Sequence, residues 1–336
     1  MLNAKISGIA SYVPEDILDN EMLSRMVDTN DEWITTRVGI KERRILKDVD
    51  KGSSFMGIKA VERLLETTGV KPEEVELLIC ATSNPDYRFP STASVISYGC
   101  GLTKAYSYDI QAACAGFIVS LQAARAYISS GLYKKVIVVA AEKMSSMTNY
   151  TDRATCPLFG DAAAAVMVEP TDQPVGIIDG EFHVDGVGLP NLVMKAGGSA
   201  RPTSHETVDA MEHYVYQEGR TVYKHAVRDM LQSSESVMAK NGLTVENIDW
   251  FVPHQANLRI IEAVGHRLQI PESKVLVNIQ HYGNTSAASI PLCLDEYKYK
   301  LKKGDKILLT AFGAGFTWGA MYLIWAFDSP KPKKKK

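Results

Sequence analysis

Cys114 lies in the stretch SYDIQAACAGFIVSL, residues 107–121, between alanines and just ahead of a glycine. Small neighbours let a substrate come close to the sulfur. Tyr106, Tyr108 and Ile110 alternate with smaller or polar residues, as in a strand. From Ala115 on, the residues are small and apolar at helical spacing. A thiol at such a corner faces the unpaired N–H groups and partial positive charge of a helix start. Both favour thiolate over thiol, and the N–H groups can hold an oxyanion. A lone cysteine reads first as a small buried core residue, so its function rests on company. His254, in VPHQAN, follows an apolar strand; Asn284, in HYGNTSAAS, sits in a glycine turn before a small-residue helix. A Cys, a His and an Asn at one focus form a nucleophile with two neutral hydrogen-bonding partners.

An internal repeat is what would bring them together. EEVELLICATSN, from Glu73, resembles VENIDWFVPHQAN, from Val245. SYDIQAACAG resembles LVNIQHYGNTSAAS, and KKVIVVAAE resembles GDKILLTAFGAG. Ile79, Asp109 and Ile137 are spaced much as Phe251, Asn278 and Leu308 are. Buried apolar strands alternating with helices, twice over, predict two similar α/β halves packed together. The division falls near Pro170–Pro174, giving halves at 1–172 and 173–328 and a basic, disordered tail at 329–336. The repeat puts His254 near the position of Ser83 and Asn284 near that of Cys114. The stretch 189–219 interrupts the echo and reads as a surface excursion near the substrate entrance.

The 336 residues carry 37 Lys and Arg against 39 Asp and Glu, a net charge of −2 that gives no general pull toward nucleic acid or membrane. The five cysteines are odd in number and fit no metal spacing, the N-terminus is no secretory signal, and no apolar run spans a bilayer. A cytoplasmic protein with no metal is expected.

The segment TNDEWITTRVGIKERRI, residues 29–45, reads as irregular and mostly exposed. Trp33 and Arg37 would share one face of a helical turn, and an aromatic plate beside a guanidinium suits a nucleotide. Spacing alone favours a surface Trp packed on an Arg stem.

DIQAACAGF, VPHQAN, GNTSAAS and FGAGFTWG, in this order, resemble the β-ketoacyl-acyl-carrier-protein synthase III family over essentially the whole chain before the tail. The resemblance implies an α/β thiolase fold, two repeated βαβαβαββ halves in a five-layer α/β/α/β/α sandwich, and a homodimer. It implies a decarboxylative condensation of an acyl-CoA primer with malonyl-acyl-carrier-protein, starting fatty-acid synthesis without a cofactor. Cys114 would be the acyl acceptor. His254 and Asn284 would bind the malonyl thioester carbonyl, and the N–H groups of Cys114 and Ala314 would form the oxyanion hole. The family often has Gly where Ala314 stands, which matters only if the turn needs a positive φ. Trp33, Arg37 and Arg153 would hold the adenine end of coenzyme A, with Thr29 and Asn257 further along the tunnel. Phe89 would floor the acyl pocket of a partner subunit. Lys224, Arg259 and Arg267 would receive the acidic acyl carrier protein, with His266 where some members have lysine. Alternatives with the same residues are a starter-unit condensing enzyme or acyltransferase of secondary metabolism, a thiol acyl-CoA hydrolase, and a non-catalytic scaffold.

Overall fold

A computed structural model describes residues 2–329. The lysine-rich segment 330–336 of the tail lies outside the described residues. The first strands and helices are β1 (Asn3–Tyr12), β2 (Ile17–Asp19), α1 (Asn20–Ser24), α2 (Asp31–Val38), β3 (Glu42–Arg44), α3 (Ser53–Thr68), β4 (Leu77–Ala81) and α4 (Thr92–Gly99). Then follow β5 (Tyr106–Ile110), α5 (Gly116–Ser129), β6 (Val136–Lys143), β7 (Asp161–Thr171), β8 (Gly176–Val184), β9 (Leu192–Met194), α6 (His205–Asp209), β10 (Val215–Gln217) and α7 (Gly219–Lys240). The last are β11 (Trp250–Pro253), α8 (Leu258–Arg267), α9 (Ile279–Tyr282), α10 (Ser289–Tyr297), β12 (Lys306–Gly313) and β13 (Thr317–Ile324).

Two sheets carry the fold. One has the order β1-β7-β6-β4-β5, the other β8-β13-β12-β11. In both, an antiparallel outer pair leads to parallel central strands: β4 runs parallel to β5 and β6, and β11 parallel to β12. Val275 bridges Phe251 in parallel where a fifth strand would lie, so the second sheet repeats the order of the first. The strands of the first sheet all precede Ile177, and those of the second all follow Thr171.

Side-chain alternation sorts each strand between two cores. Leu78 and Cys80 of β4, with Ile137 and Val139 of β6, face α3 and α4. Leu77, Ile79, Val136 and Val138 face the opposite way, toward α5 and α10, which Leu309 and Ala311 of β12 meet from the far side. Phe251 and Leu308 then face α7 and α8. The layers are thus α3/α4, sheet, α5/α10, sheet, α7/α8. Helices clamped between two sheets need a second buried face. Accordingly α5 buries Gly116, Phe117, Ile118, Ser120, Leu121, Ala124 and Ile128. Each large apolar side chain buried here contributes roughly 1.5–3 kcal/mol.

The segment 29–45 departs from expectation. Asn30 caps α2 by accepting from the Trp33 N–H at 2.7 Å, and Gly39 closes the helix in the left-handed region. Ile34, Val38 and Ile40 are buried against Met144, Met147, Leu158 and Ile261, so tertiary packing orders what sequence polarity suggested was loop. Arg43 is fully buried. Its Nε and Nη2 donate to the Pro157 carbonyl at 3.0 and 2.5 Å, and its Nη1 donates to Asn20 Oδ1 at 2.6 Å. Burial brings the guanidinium down to about 10, still cationic at neutral pH. This one side chain staples β3 to the loop carrying Arg153. Arg43→Ala should leave the Pro157 carbonyl and Asn20 Oδ1 unpaired, costing about 3 kcal/mol. A lowered urea midpoint at unchanged slope is the expected reading.

Candidate active site

The nucleophile corner is built from backbone conformation. After β5 the chain enters a 3-10 turn, Ala113–Ala115, in which Ala113 has φ +45°, and α5 begins at Gly116. The matching turn of the second half, Ser286–Ala288, starts with Ser286 at φ +50° and leads into α10. By this measure the counterpart of Cys114 is Ala287, and Asn284 lies three residues before it; the sequence repeat was offset here. The two turns pack together: a Cβ on Gly116 would stand 3.3 Å from that of Ala287 and 3.2 Å from that of Ala81. Only small residues allow this approach.

Cys114, His254 and Asn284 line one cavity of about 490 Å³. Leu158, Val222, Ala226, Met230 and Phe312 make its walls apolar, while Trp33, Arg37, Arg220 and Arg259 also line it. Since all three arginines are exposed, they mark its mouth.

Hydrogen bonds decide which atoms face the cavity. Ser289 Oγ stands 2.6 Å from His254 Nδ1 and accepts from the Gln255 N–H at 3.3 Å. Among the described residues Nδ1 is the one acceptor within reach of the Ser289 hydroxyl proton, and donation to it assigns the ring proton to Nε2. Asn284 Oδ1 accepts from the Ser286 N–H at 2.8 Å, leaving the Nδ2 protons free. Both partners are therefore hydrogen-bond donors toward the cavity, suited to an oxygen on which negative charge develops. Burial pushes His254 down to about 3, so its ring is neutral in the working range.

Burial also pushes the Cys114 thiol up to about 12, against a smaller opposing effect of Ser286. This corrects the expectation of a thiolate favoured by the helix start: desolvation of the sulfur outweighs the favourable field. At neutral pH Cys114 is therefore a thiol.

Gly313, the last residue of β12, fits only without a side chain: a Cβ there would lie 2.6 Å from the Cys114 nitrogen. Ala314 follows in the β12–β13 turn, and it is Gly315, at φ +142°, that takes the unusual conformation. Alanine is accommodated at 314 because it needs no positive φ.

The remaining sequence-predicted residues divide. Trp33, Arg37, Asn257 and Arg259 line the cavity. Asn257 also caps α8, its Oδ1 accepting from the Arg259 N–H at 2.9 Å. Arg153 lies over the Trp33 ring at 4.6 Å, with Arg37 at 5.9 Å, so the plate and guanidinium are closed on one another. A ring entering between them would have to lift Arg153, which Asp28 holds only loosely at 3.8 Å. Thr29 does not line the cavity; it is half-buried with an unpaired hydroxyl. Arg259 at the start of α8 is exposed at the mouth, Lys224 is exposed on α7, and Arg267 is exposed at the far end of α8, beside His266. Phe89 is 86% exposed and does not reach this chain's cavity. Leu192, Gln217 and Gly219 do line it, so both ends of the 189–219 excursion border the site.

Sequence reasoning missed Arg220 and Glu142. Arg220 follows Gly219 at the start of α7, a boundary the interrupted repeat obscured. Glu142 ends an apolar strand, where a carboxylate normally signals exposure. Here it is fully buried, accepting from the Ser83 N–H at 3.1 Å on both oxygens and from Thr82 Oγ1 at 3.3 Å.

Comparison with known proteins shows which family the chain resembles. Residues 108–186 match the family described as 3-oxoacyl-[acyl-carrier-protein (ACP)] synthase III, and residues 238–325 match its C-terminal region. The chain is 57% identical to beta-ketoacyl-[acyl-carrier-protein] synthase III 2 of Bacteroides thetaiotaomicron, covering 98% of each chain. It is 54% identical to beta-ketoacyl-[acyl-carrier-protein] synthase III of Porphyromonas gingivalis strain W83, covering 97% of this chain and 98% of the other. The solved 3-oxoacyl-[acyl-carrier-protein] synthase III of Aquifex aeolicus VF5 superposes with a TM-score of 0.88 at 42% identity, covering 96% of this chain and all of that one.

Two outcomes follow from the geometry. Gly313→Ala should drive the β12–β13 turn and the Cys114 corner apart, slowing thioester formation about 100-fold with the circular dichroism spectrum unchanged. His254 should keep the nitrogen chemical shifts of a neutral ring from pH 8 down to pH 5. Its folded pKa lies below its unfolded one, so its contribution to stability is full above the unfolded value near 6.5 and is lost as pH falls toward 3.

Proposed function

The chain belongs to the 3-oxoacyl-[acyl-carrier-protein] synthase III family, and from that premise we propose that it condenses an acyl-CoA primer with malonyl-acyl-carrier-protein through a thioester on Cys114. The observation that carries the reading is the convergence of Cys114, His254 and Asn284 on one cavity, with both neutral partners presenting donors. The primer enters past Trp33, Arg37 and Arg153, whose plate and positive charge suit an adenine nucleotide with phosphates, and Asn257 lines that route. The sulfur attacks the thioester carbonyl. N–H groups of Cys114 and Ala314 hold the oxyanion, a role supported by the approach of Gly313 to the Cys114 nitrogen. One such donor contributes about 3 kcal/mol to the transition state. The CoA sulfur leaves.

Malonyl-carrier-protein then takes the same path, guided by Lys224, Arg259 and Arg267. Its carboxylate departs as CO2, and the bonding electrons move into an enolate whose oxygen receives hydrogen bonds from His254 Nε2 and Asn284 Nδ2. The enolate carbon attacks the acyl-Cys114 carbonyl, the C–S bond breaks, and β-ketoacyl-carrier-protein is released. The electron pair of the new C–C bond comes from the broken C–CO2 bond, so the chemistry calls for no cofactor.

We further propose that the working form is a homodimer. Tyr87, Phe89, Tyr98 and Tyr106 are all exposed around β5, an edge strand with one side unpaired. Large apolar side chains beside an open strand edge favour pairing with a second copy, and Phe89 would then reach the partner's acyl pocket. The five free cysteines suit a reducing cytoplasm.

Wild-type protein given acyl-CoA should gain one acyl mass, on Cys114, and convert malonyl-carrier-protein to its β-ketoacyl product; Cys114→Ala should do neither. Free acid in place of ketoacyl product would assign a hydrolase, and a preference for free malonyl-CoA would assign a condensing enzyme of secondary metabolism. His254→Ala and Asn284→Ala should slow decarboxylation by more than they slow acylation. Equal losses in the two half-reactions would remove them from the enolate step.

A further inference from the structure

The backbone of Asn284 is held from the other half of the chain. Its N–H donates to the Leu158 carbonyl at 2.8 Å, and its carbonyl accepts from the Gly160 N–H at 3.1 Å. The two bonds form a parallel bridge around Phe159. Leu158 and Asn284 both line the cavity. The placement of segment 157–160 therefore governs the placement of the Asn284 amide.

Both sides of this bridge rest on one side chain. Gly160 and Gly283 pack too closely to carry side chains of their own. A Cβ on Gly160 would overlap the Tyr282 carbonyl oxygen, and one on Gly283 would stand 2.6 Å from the Leu158 oxygen. The next neighbour at each glycine is the stem of Arg43, its Cβ 3.2 Å from the first position and its Cγ 3.1 Å from the second. Beyond the stem, the guanidinium gives two donors to the Pro157 carbonyl and a third to Asn20 Oδ1. The Lys41 N–H donates to the Gln280 carbonyl at 3.0 Å, so the approach to β3 is also tied to α9, just ahead of Gly283. Upstream of Pro157 the loop closes on itself, with Asp152 accepting from the Ala154 N–H at 2.9 Å and from Thr155 Oγ1 at 2.6 Å.

We propose that Arg43 is a positioning residue for Asn284. It does not line the cavity. Its fork sets the Pro157 carbonyl, and the bridge carries that placement to the Asn284 backbone. The bond from the Ser286 N–H to Asn284 Oδ1 then leaves the Nδ2 protons for the cavity. Arginine suits this task because a planar fork fixes an angle as well as a distance, which an ammonium does not. The donor offered to the enolate oxygen is thereby registered against β3 of the first half.

The same segment leads back to Arg153, and the two effects separate kinetically. A shift of Asn284 lowers the maximal rate of decarboxylation. A shift of the Arg153 loop alone raises the acyl-CoA KM and spares that rate.

This inference rests on the enolate role of Asn284 given above. Arg43→Lys keeps the stem and the charge but cannot span Pro157 and Asn20. It should lower the maximal rate of CO2 release from malonyl-carrier-protein about 30-fold, with Cys114 acylation at saturating acyl-CoA changed about threefold or less. Asn20→Ala, which removes one acceptor and keeps the arginine, should show a smaller loss in the same step. In an Asn284→Ala background, Arg43→Lys should slow decarboxylation no further. Hydrogen exchange at the Gly160 and Asn284 amides should be about tenfold faster in Arg43→Lys, while the β6 amides keep wild-type protection. Equal losses in the two half-reactions, a change confined to the acyl-CoA KM, losses that multiply with Asn284→Ala, or unchanged exchange at both amides would each overturn the assignment. Wild-type decarboxylation by Asn284→Ala would instead overturn the enolate reading, with the exchange result still standing.

Discussion

The near-contact of two strand-to-helix turns governs this molecule. Each turn opens with a residue held in the left-handed region, Ala113 in one half and Ser286 in the other. Each launches a helix into the layer between the two sheets. They can meet only because Gly116, Ala287 and Ala81 present almost no side chain at the crossing. The backbone of β12 closes in from a third side at Gly313. Close packing at these points sets the sulfur's position to within the fraction of an ångström that acyl transfer tolerates. The large sheets and the helices outside them serve to make that placement rigid.

Within this frame, burial decides ionisation and hydrogen bonds decide direction. The interior keeps His254 and Cys114 neutral, while the formal positive charges at the mouth sit on Arg37, Arg220 and Arg259. Positive charge is therefore confined to the entrance, and the groups deep in the cavity are neutral. Neutral donors can stabilise developing negative charge without giving up a full proton. Ser289 and the Ser286 N–H commit the acceptor atoms of His254 and Asn284 elsewhere. The orientation of the donors toward the cavity thus resides in residues that do not line it.

Much of this was legible in the sequence because repetition is written in apolar runs. Runs such as LLIC and VIVVAA announce strands covered on both faces, and their order revealed a paired architecture. Cys114, His254 and Asn284 could be found because each stands where such a run meets small residues. The register of the repeat was less legible. Apolar residues tolerate a shift of one or two positions in a comparison, whereas backbone torsion does not, and it is torsion that pairs Cys114 with Ala287. The segment 29–45 was misjudged because its order comes from distant partners, above all Arg43 on the carbonyl of Pro157. The raised thiol was missed because a helix start is visible in sequence and desolvation is not.

The two halves agree in backbone and disagree in chemistry, and the disagreement has a pattern. Ala81 pairs with Ala140 in one sheet as Pro253 pairs with Thr310 in the other. Counting on from these pairs sets His254 against Thr82 and Phe312 against Glu142. One side of the pseudo-twofold axis thus presents a histidine and an apolar wall to the open cavity. The other presents a threonine and a carboxylate, sealed from solvent behind the cysteine turn. A buried carboxylate without a cationic partner is costly to keep. A half that needed only to support its neighbour would be more stable with an apolar residue in that place. The Ser83 N–H and the Thr82 hydroxyl offset part of that cost by hydrogen-bonding and orienting the carboxylate.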